Sequence, residues 1–129
     1  MTERSFSYKS VLFSLARSPL LRPLVGFVFA MIPFALPVER LVETPHWLAF
    51  FHPRPSYPLH ILLVPKRAVA SLKDLRPEDA PLLGEMVDVV QQLVARFNLE
   101  TRGYRLITNG GPNQDIPQLH WHLISEVKP

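Results

Sequence analysis

Cysteine is absent from the 129 residues, so no disulfide and no thiolate metal site can form. Charge is sparse: 19% of residues are charged, the net charge is +3, and no basic run marks a nucleic-acid tail. No nucleic-acid partner is expected. A full-length apolar span is also lacking. A membrane-crossing helix wants about 20 apolar residues. The uncharged run 23–38 has 16, with Pro33 and Pro37 inside it.

Proline and apolar side chains are plentiful. Of fourteen prolines, eleven cluster at 19–37, 45–65 and 77–81, where the chain is expected to turn often. Hydrophobic residues make up 47%, which excludes a disordered chain. The length argues for one domain, able to remove roughly two-thirds of its unfolded surface from water. The mild basic excess suits an anionic ligand such as a phosphate, and equally suits a soluble protein that happens to be basic.

Residues 1–22 mix Lys9, Arg17 and Arg22 with Phe6, Val11, Leu12 and Leu15 at roughly helical spacing, and read as an N-terminal extension. Residues 23–129 read as the domain. Segment 23–38 admits three readings. A spanning helix is short of residues. A signal peptide would start earlier and lack Glu3 near its beginning. A first helix buried in the fold or in a dimer is favoured; its rival is peripheral membrane contact through residues 1–38. The expected location is the cytoplasm, with membrane association under that rival.

Strand-like runs follow at 40–44, 46–51 and 60–64, each rich in β-branched or aromatic residues and closed by prolines or other breakers. Pro77, Glu78 and Asp79 suit a helix start. Leu82, Leu83, Met86, Val89, Val90, Leu93, Val94 and Phe97 then recur at steps of three and four, an amphipathic stripe. Asn98 or Gly103 can end it. Two more strands are expected at 103–109 and 119–125. Strands, one long helix and strands again predict an α+β fold with an antiparallel sheet.

Gln118, His120 and His122 alternate with Leu119, Trp121 and Leu123. On a strand they would share one face, with the imidazoles about 7 Å apart from a rise of ~3.4 Å per residue. Such a pair offers a nucleophile beside an acid or stabiliser. Two blander readings stand beside it: a solvated histidine face, or a metal pair completed by His60 or His52. No carboxylate is obviously paired with them, and no metal or other cofactor is expected.

The segments His46–Phe51, Pro58–Arg67, Gly103–Asn109 and Gln118–Ile124 come in the order and spacing of histidine-triad (HIT) proteins, which the chain resembles over roughly residues 27–126. The resemblance implies a five-stranded antiparallel sheet with a long packed helix and a shorter N-terminal helix. It implies a homodimer and a nucleoside phosphate ligand. It implies attack of His120 on the α-phosphorus, giving a nucleotidyl-histidine, with His122 at the phosphate or leaving group. His60 and Asn109 match residues that face the same pocket. Backbone N–H groups of Gln114, Asp115 and Ile116 are candidate phosphate donors, Pro117 having none. Gln118 stands at the first histidine of the triad and is expected to hydrogen-bond in the site. The usual ribose carboxylate is replaced around His52-Pro53. Asp115 stands where a small hydroxyl residue is common, and the loop from Asn109 to Gln114 is short. The paired cysteines common near the start of such proteins are missing, so no structural zinc is expected. The activity implied is that of a nucleotide hydrolase or nucleotidyl transferase. The rival is a non-catalytic nucleotide-binding or membrane-associated scaffold.

Overall fold

The computed structural model describes residues 39–128, so the helices expected within 1–22 and 23–38 lie outside the described residues. Five strands form one antiparallel sheet. They are β1 (Arg40–Glu43), β2 (Trp47–Phe51), β3 (Leu59–Pro65), β4 (Arg105–Ile107) and β5 (Trp121–Ser125), in the order β1-β2-β3-β5-β4. Helix α1 (Ala80–Arg96) and a short α2 (Leu99–Arg102) separate β3 from β4.

Helix α1 forms as its periodicity predicts. A 3-10 turn at Pro77–Asp79 leads into it, where the Asp79 carboxylate accepts the Arg76 N–H at 2.8 Å. Met86, Val89, Val90 and Leu93 are its buried stripe. Asn98 ends it with φ 53°, a left-handed conformation that asparagine tolerates better than most residues. Gly103, at φ 81°, then turns the chain into β4. Both residues singled out as stops act as stops, and the four-residue α2 between them was not anticipated.

The stripe packs on one sheet face, against Trp47, Ala49, Leu59, Ile61, Leu63, Trp121 and Leu123. The two tryptophan rings meet edge to face at 5.8 Å, and Trp47 Nε1–H donates to the Leu82 carbonyl at 2.8 Å. Full burial of a Leu or Ile side chain is worth about 1.5–3 kcal/mol, so this layer is the main source of stability.

The other sheet face carries Leu48, Phe50, Leu62, Val64 and Ile124, all buried as well. It is on this apolar face that His60 and His122 sit. β3 and β5 pair His60 with Ile124 and Leu62 with His122, so the two histidines are diagonal neighbours across adjacent strands.

Candidate active site

Register brings the imidazoles together. His60 Nε2 lies 2.8 Å from His122 Nδ1. The His120 and His122 rings are 5.0 Å apart, edge to face. His52, at the end of β2, stacks on His60 with centroids at 4.3 Å and lies 6.1 Å from His122. It gets there because the β2–β3 hairpin closes with a bond from His52 N–H to the His60 carbonyl at 2.8 Å. Four imidazoles thus share one site; the sequence had named His60, His120 and His122 as catalytic and His52 only as a possible metal ligand.

The backbone sets their tautomers. Ser56 N–H donates to His60 Nδ1 at 3.1 Å, so neutral His60 carries its proton on Nε2 and gives it to His122 Nδ1. His122 therefore holds its own proton on Nε2. His120 Nδ1 faces the Gln118 carbonyl at 2.7 Å, which can only accept. That leaves the lone pair of His120 on Nε2, the form a nucleophile needs. Arg54 N–H donates to His52 Nδ1 at 2.9 Å, which places the His52 proton on Nε2.

Burial holds all four rings neutral near pH 7. Loss of water on the apolar face pushes His122 down to about 3, helped by the neighbouring His120, His60 and His52. Burial, then His60 and His120, take His52 down to about 4. Burial lowers His60 too. It also lowers His120, against the opposing pull of the Gln118 carbonyl and of Asp115.

The other expected site residues divide. Asn109 is half-buried and follows Thr108, whose hydroxyl donates to the His120 carbonyl at 2.9 Å. Asp115 is exposed, yet close enough for its charge to act on His120. Two expectations need correction. Gln118 is fully buried, and its amide N–H is spent on the Arg67 carbonyl at 3.1 Å, so that group is not open to a ligand. The reason is that β5 begins at Trp121, and strand alternation does not extend back to 118. Gln114 N–H is likewise spent, on the Gly111 carbonyl at 3.0 Å in a 3-10 turn. Its side-chain amide bonds the carbonyls of Ala70 and Ile116. Asp115 and Ile116 remain as backbone donors, and the Ile116 side chain is buried.

One ring nitrogen from each of His52, His60 and His122 lies within 4.8 Å of the others, which raises the question of a metal. The hydrogen bonds argue against one. A ligating imidazole normally donates its second nitrogen to a carbonyl or carboxylate. His52 and His60 instead accept N–H groups there. Two tetrahedral ligands about 2.0–2.1 Å from zinc would also stand roughly 3.3 Å apart, and the His60–His122 contact is 2.8 Å.

The basic pair that closes β3 is held by carboxylates. Arg67 makes two bonds to Asp79, at 2.6 and 3.2 Å, and Lys66 pairs with Glu43 at 2.9 Å. His46 is held by Glu85 at 2.9 Å and is structural.

The HIT domain family matches residues 35–128. A HIT-like protein of Synechococcus elongatus is 36% identical over 91 residues, 69% of this chain and 79% of the relative. Among solved structures, a HIT family hydrolase from Legionella pneumophila superposes with a TM-score of 0.73 at 29% identity, covering 78% of this chain and 93% of its own. A histidine triad nucleotide-binding protein from Candida albicans gives 0.65 at 28% identity, with coverages of 74% and 71%.

Proposed function

This chain belongs to the HIT domain family, and on that premise we propose that it is a nucleotide hydrolase or nucleotidyl transferase working through His120. The observation that carries the reading is the tautomer pattern. His120 offers a lone pair on Nε2, while the chain Ser56 N–H, His60, His122 leaves a proton on His122 Nε2. Nucleophile and hydrogen-bond donor are thus prepared separately, 5.0 Å apart between ring centres.

In the reaction His120 Nε2 attacks the α-phosphorus of an ester, anhydride or amidate. The bond from phosphorus to the leaving oxygen or nitrogen breaks, and that atom, held by the His122 Nε2–H, takes up a proton from solvent. Water, or another acceptor hydroxyl, then attacks the phosphorus of the nucleotidyl-histidine and gives its proton to solvent. His120 leaves with its lone pair restored. The N–H groups of Asp115 and Ile116 are the remaining donors for the phosphate oxygens. The nucleotide-binding description of the Candida protein agrees with this class of ligand. A second copy of the chain is the expected partner: β4 is an edge strand, and Leu106 on it and Tyr104 just before it are exposed.

The test is covalent trapping. The full chain is mixed with nucleoside phosphoramidates and dinucleoside polyphosphates, then quenched and analysed by mass spectrometry. A nucleotidyl adduct on His120, absent from His120→Asn, is expected. Binding of nucleotide with neither adduct nor turnover across the panel would make the chain a non-catalytic binding protein.

A further inference from the structure

The loop in front of the histidines is docked on the segment that follows β3. Three carbonyls of residues 67–70 accept from it. The Arg67 carbonyl accepts the Gln118 side-chain amide at 3.1 Å, the Val69 carbonyl accepts the Leu119 N–H at 2.7 Å, and the Ala70 carbonyl accepts the Gln114 side-chain amide at 2.6 Å. The receiving segment is itself fixed. Val69 belongs to the core under α1, and the Arg67 guanidinium holds Asp79 through two bonds.

Gln118 is a poor choice for stability alone. It is fully buried, and its Oε1 has no partner among the described residues. A buried acceptor left without a donor is destabilising, and an apolar side chain of the same length avoids that loss. What the amide supplies is its N–H pair. Both bonds run to carbonyls beside the nucleophile, that of Arg67 and, at 3.3 Å, that of Leu119.

The peptide unit between Gln118 and Leu119 connects this anchorage to the chemistry. A trans peptide is planar, so its N–H and C=O point opposite ways. The N–H is fixed on Val69, and the C=O lies 2.7 Å from His120 Nδ1. A carbonyl only accepts, so Nδ1 keeps the proton and Nε2 keeps the lone pair. A neutral imidazole with no fixed acceptor exchanges between its two tautomers, and a ring with its proton on Nε2 has no lone pair there to attack phosphorus.

We infer that Gln118 is a positioning residue for the nucleophile: its side-chain amide and the Leu119 N–H clamp this peptide unit onto Arg67 and Val69, and the clamp holds the Gln118 carbonyl on His120 Nδ1. This rests on the reading of His120 above and deepens it, by naming what keeps that ring in its attacking form.

NMR of the ring nitrogens in the isotopically labelled full chain tests the clamp without needing turnover, with His120→Asn identifying the His120 signals. At pH 7.5 the native His120 should show one tautomer, protonated on Nδ1. Gln118→Met, which keeps the length and removes the N–H pair, should show a mixture of the two. Its kcat on a nucleoside phosphoramidate should fall about fivefold, the worth of about one hydrogen bond, with KM unchanged. Val90→Ala, a cut in the core on the opposite sheet face, should lower the unfolding temperature and leave both tautomer and kcat as they are. The proposal falls if Gln118→Met keeps the native tautomer, or if its KM rises while kcat holds. It falls too if Val90→Ala mixes the tautomers as much. Mixing in Gln118→Met with no His120 adduct in the native chain would retain this inference and remove the catalytic reading. An adduct with the tautomer unmoved in the variant would do the reverse.

Discussion

Acid should unfold this protein earlier than its carboxylates require, because the histidine cluster takes up protons only when the fold opens. His52 and His122 have ordinary values of 6.5 in the unfolded chain and fall to about 4 and about 3 in the fold. Between those limits the unfolded state binds more protons, so stability rises with pH. The contribution is fully present above 6.5 and is lost progressively as pH falls toward 3. pH 5 lies about 1.5 units below the ordinary value that the groups have in the unfolded chain, and one unit is 1.36 kcal/mol, so each group costs at most about 2 kcal/mol. Both rings are only half-buried, and solvent screening at least halves that figure. About 1 kcal/mol each, or ~2 kcal/mol together, is the working value. With a urea slope of about 1–3 kcal/mol per molar, the midpoint should drop by roughly 1 M between pH 7.5 and pH 5. Carboxylates titrate lower and add little in that window. Urea melts at both pH values in a non-coordinating buffer measure the drop, and the double variant His52→Gln/His122→Gln should lose most of it. Inorganic phosphate at pH 5 should restore part of it in the native chain, since a bound anion raises the rings toward their ordinary values. An unchanged midpoint, or an equal acid loss in the double variant, would refute the reasoning.

Two further outcomes follow from the hydrogen bonds. His60→Phe keeps a ring on the sheet but removes the N–H that fixes the His122 tautomer; kcat on a nucleoside phosphoramidate should fall about 100-fold with little change in KM, and a loss under about threefold would sink the relay. Gln118→Leu strands the Arg67 carbonyl but also removes a buried Oε1 that has no partner among the described residues. Thermal unfolding should move by less than about 1 kcal/mol and KM should hold, whereas a raised KM would mean that Gln118 touches the ligand.

Most of the fold was legible. The apolar runs of β2 and β3 and the stripe from Met86 to Leu93 carry their periods openly, and the prolines mark where they stop. The site was legible in part. Alternation singled out His120 and His122, but only the β3–β5 register makes His60 the partner of His122. Gln118 was misplaced because a pattern of two was read through residues that enter the strand but do not belong to it. His52 was weighed as a metal ligand and as a lost carboxylate position, not as a ring stacked on His60. The signal was available: it ends β2 just where His60 begins the return strand, and hairpin closure makes such ends neighbours.

The bond between His60 and His122 spans 62 positions of sequence, and β5 reaches it by inserting between β3 and β4. No local stretch of chain can rehearse that meeting. During refolding the hairpin of β2 and β3 can form early, with His52 already over His60, while the proton on His60 Nε2 still has only water to receive it. The pairing exists only once β5 has docked between β3 and β4, so recovery of the proposed turnover would report that docking, where fluorescence or circular dichroism would register the hairpin as well.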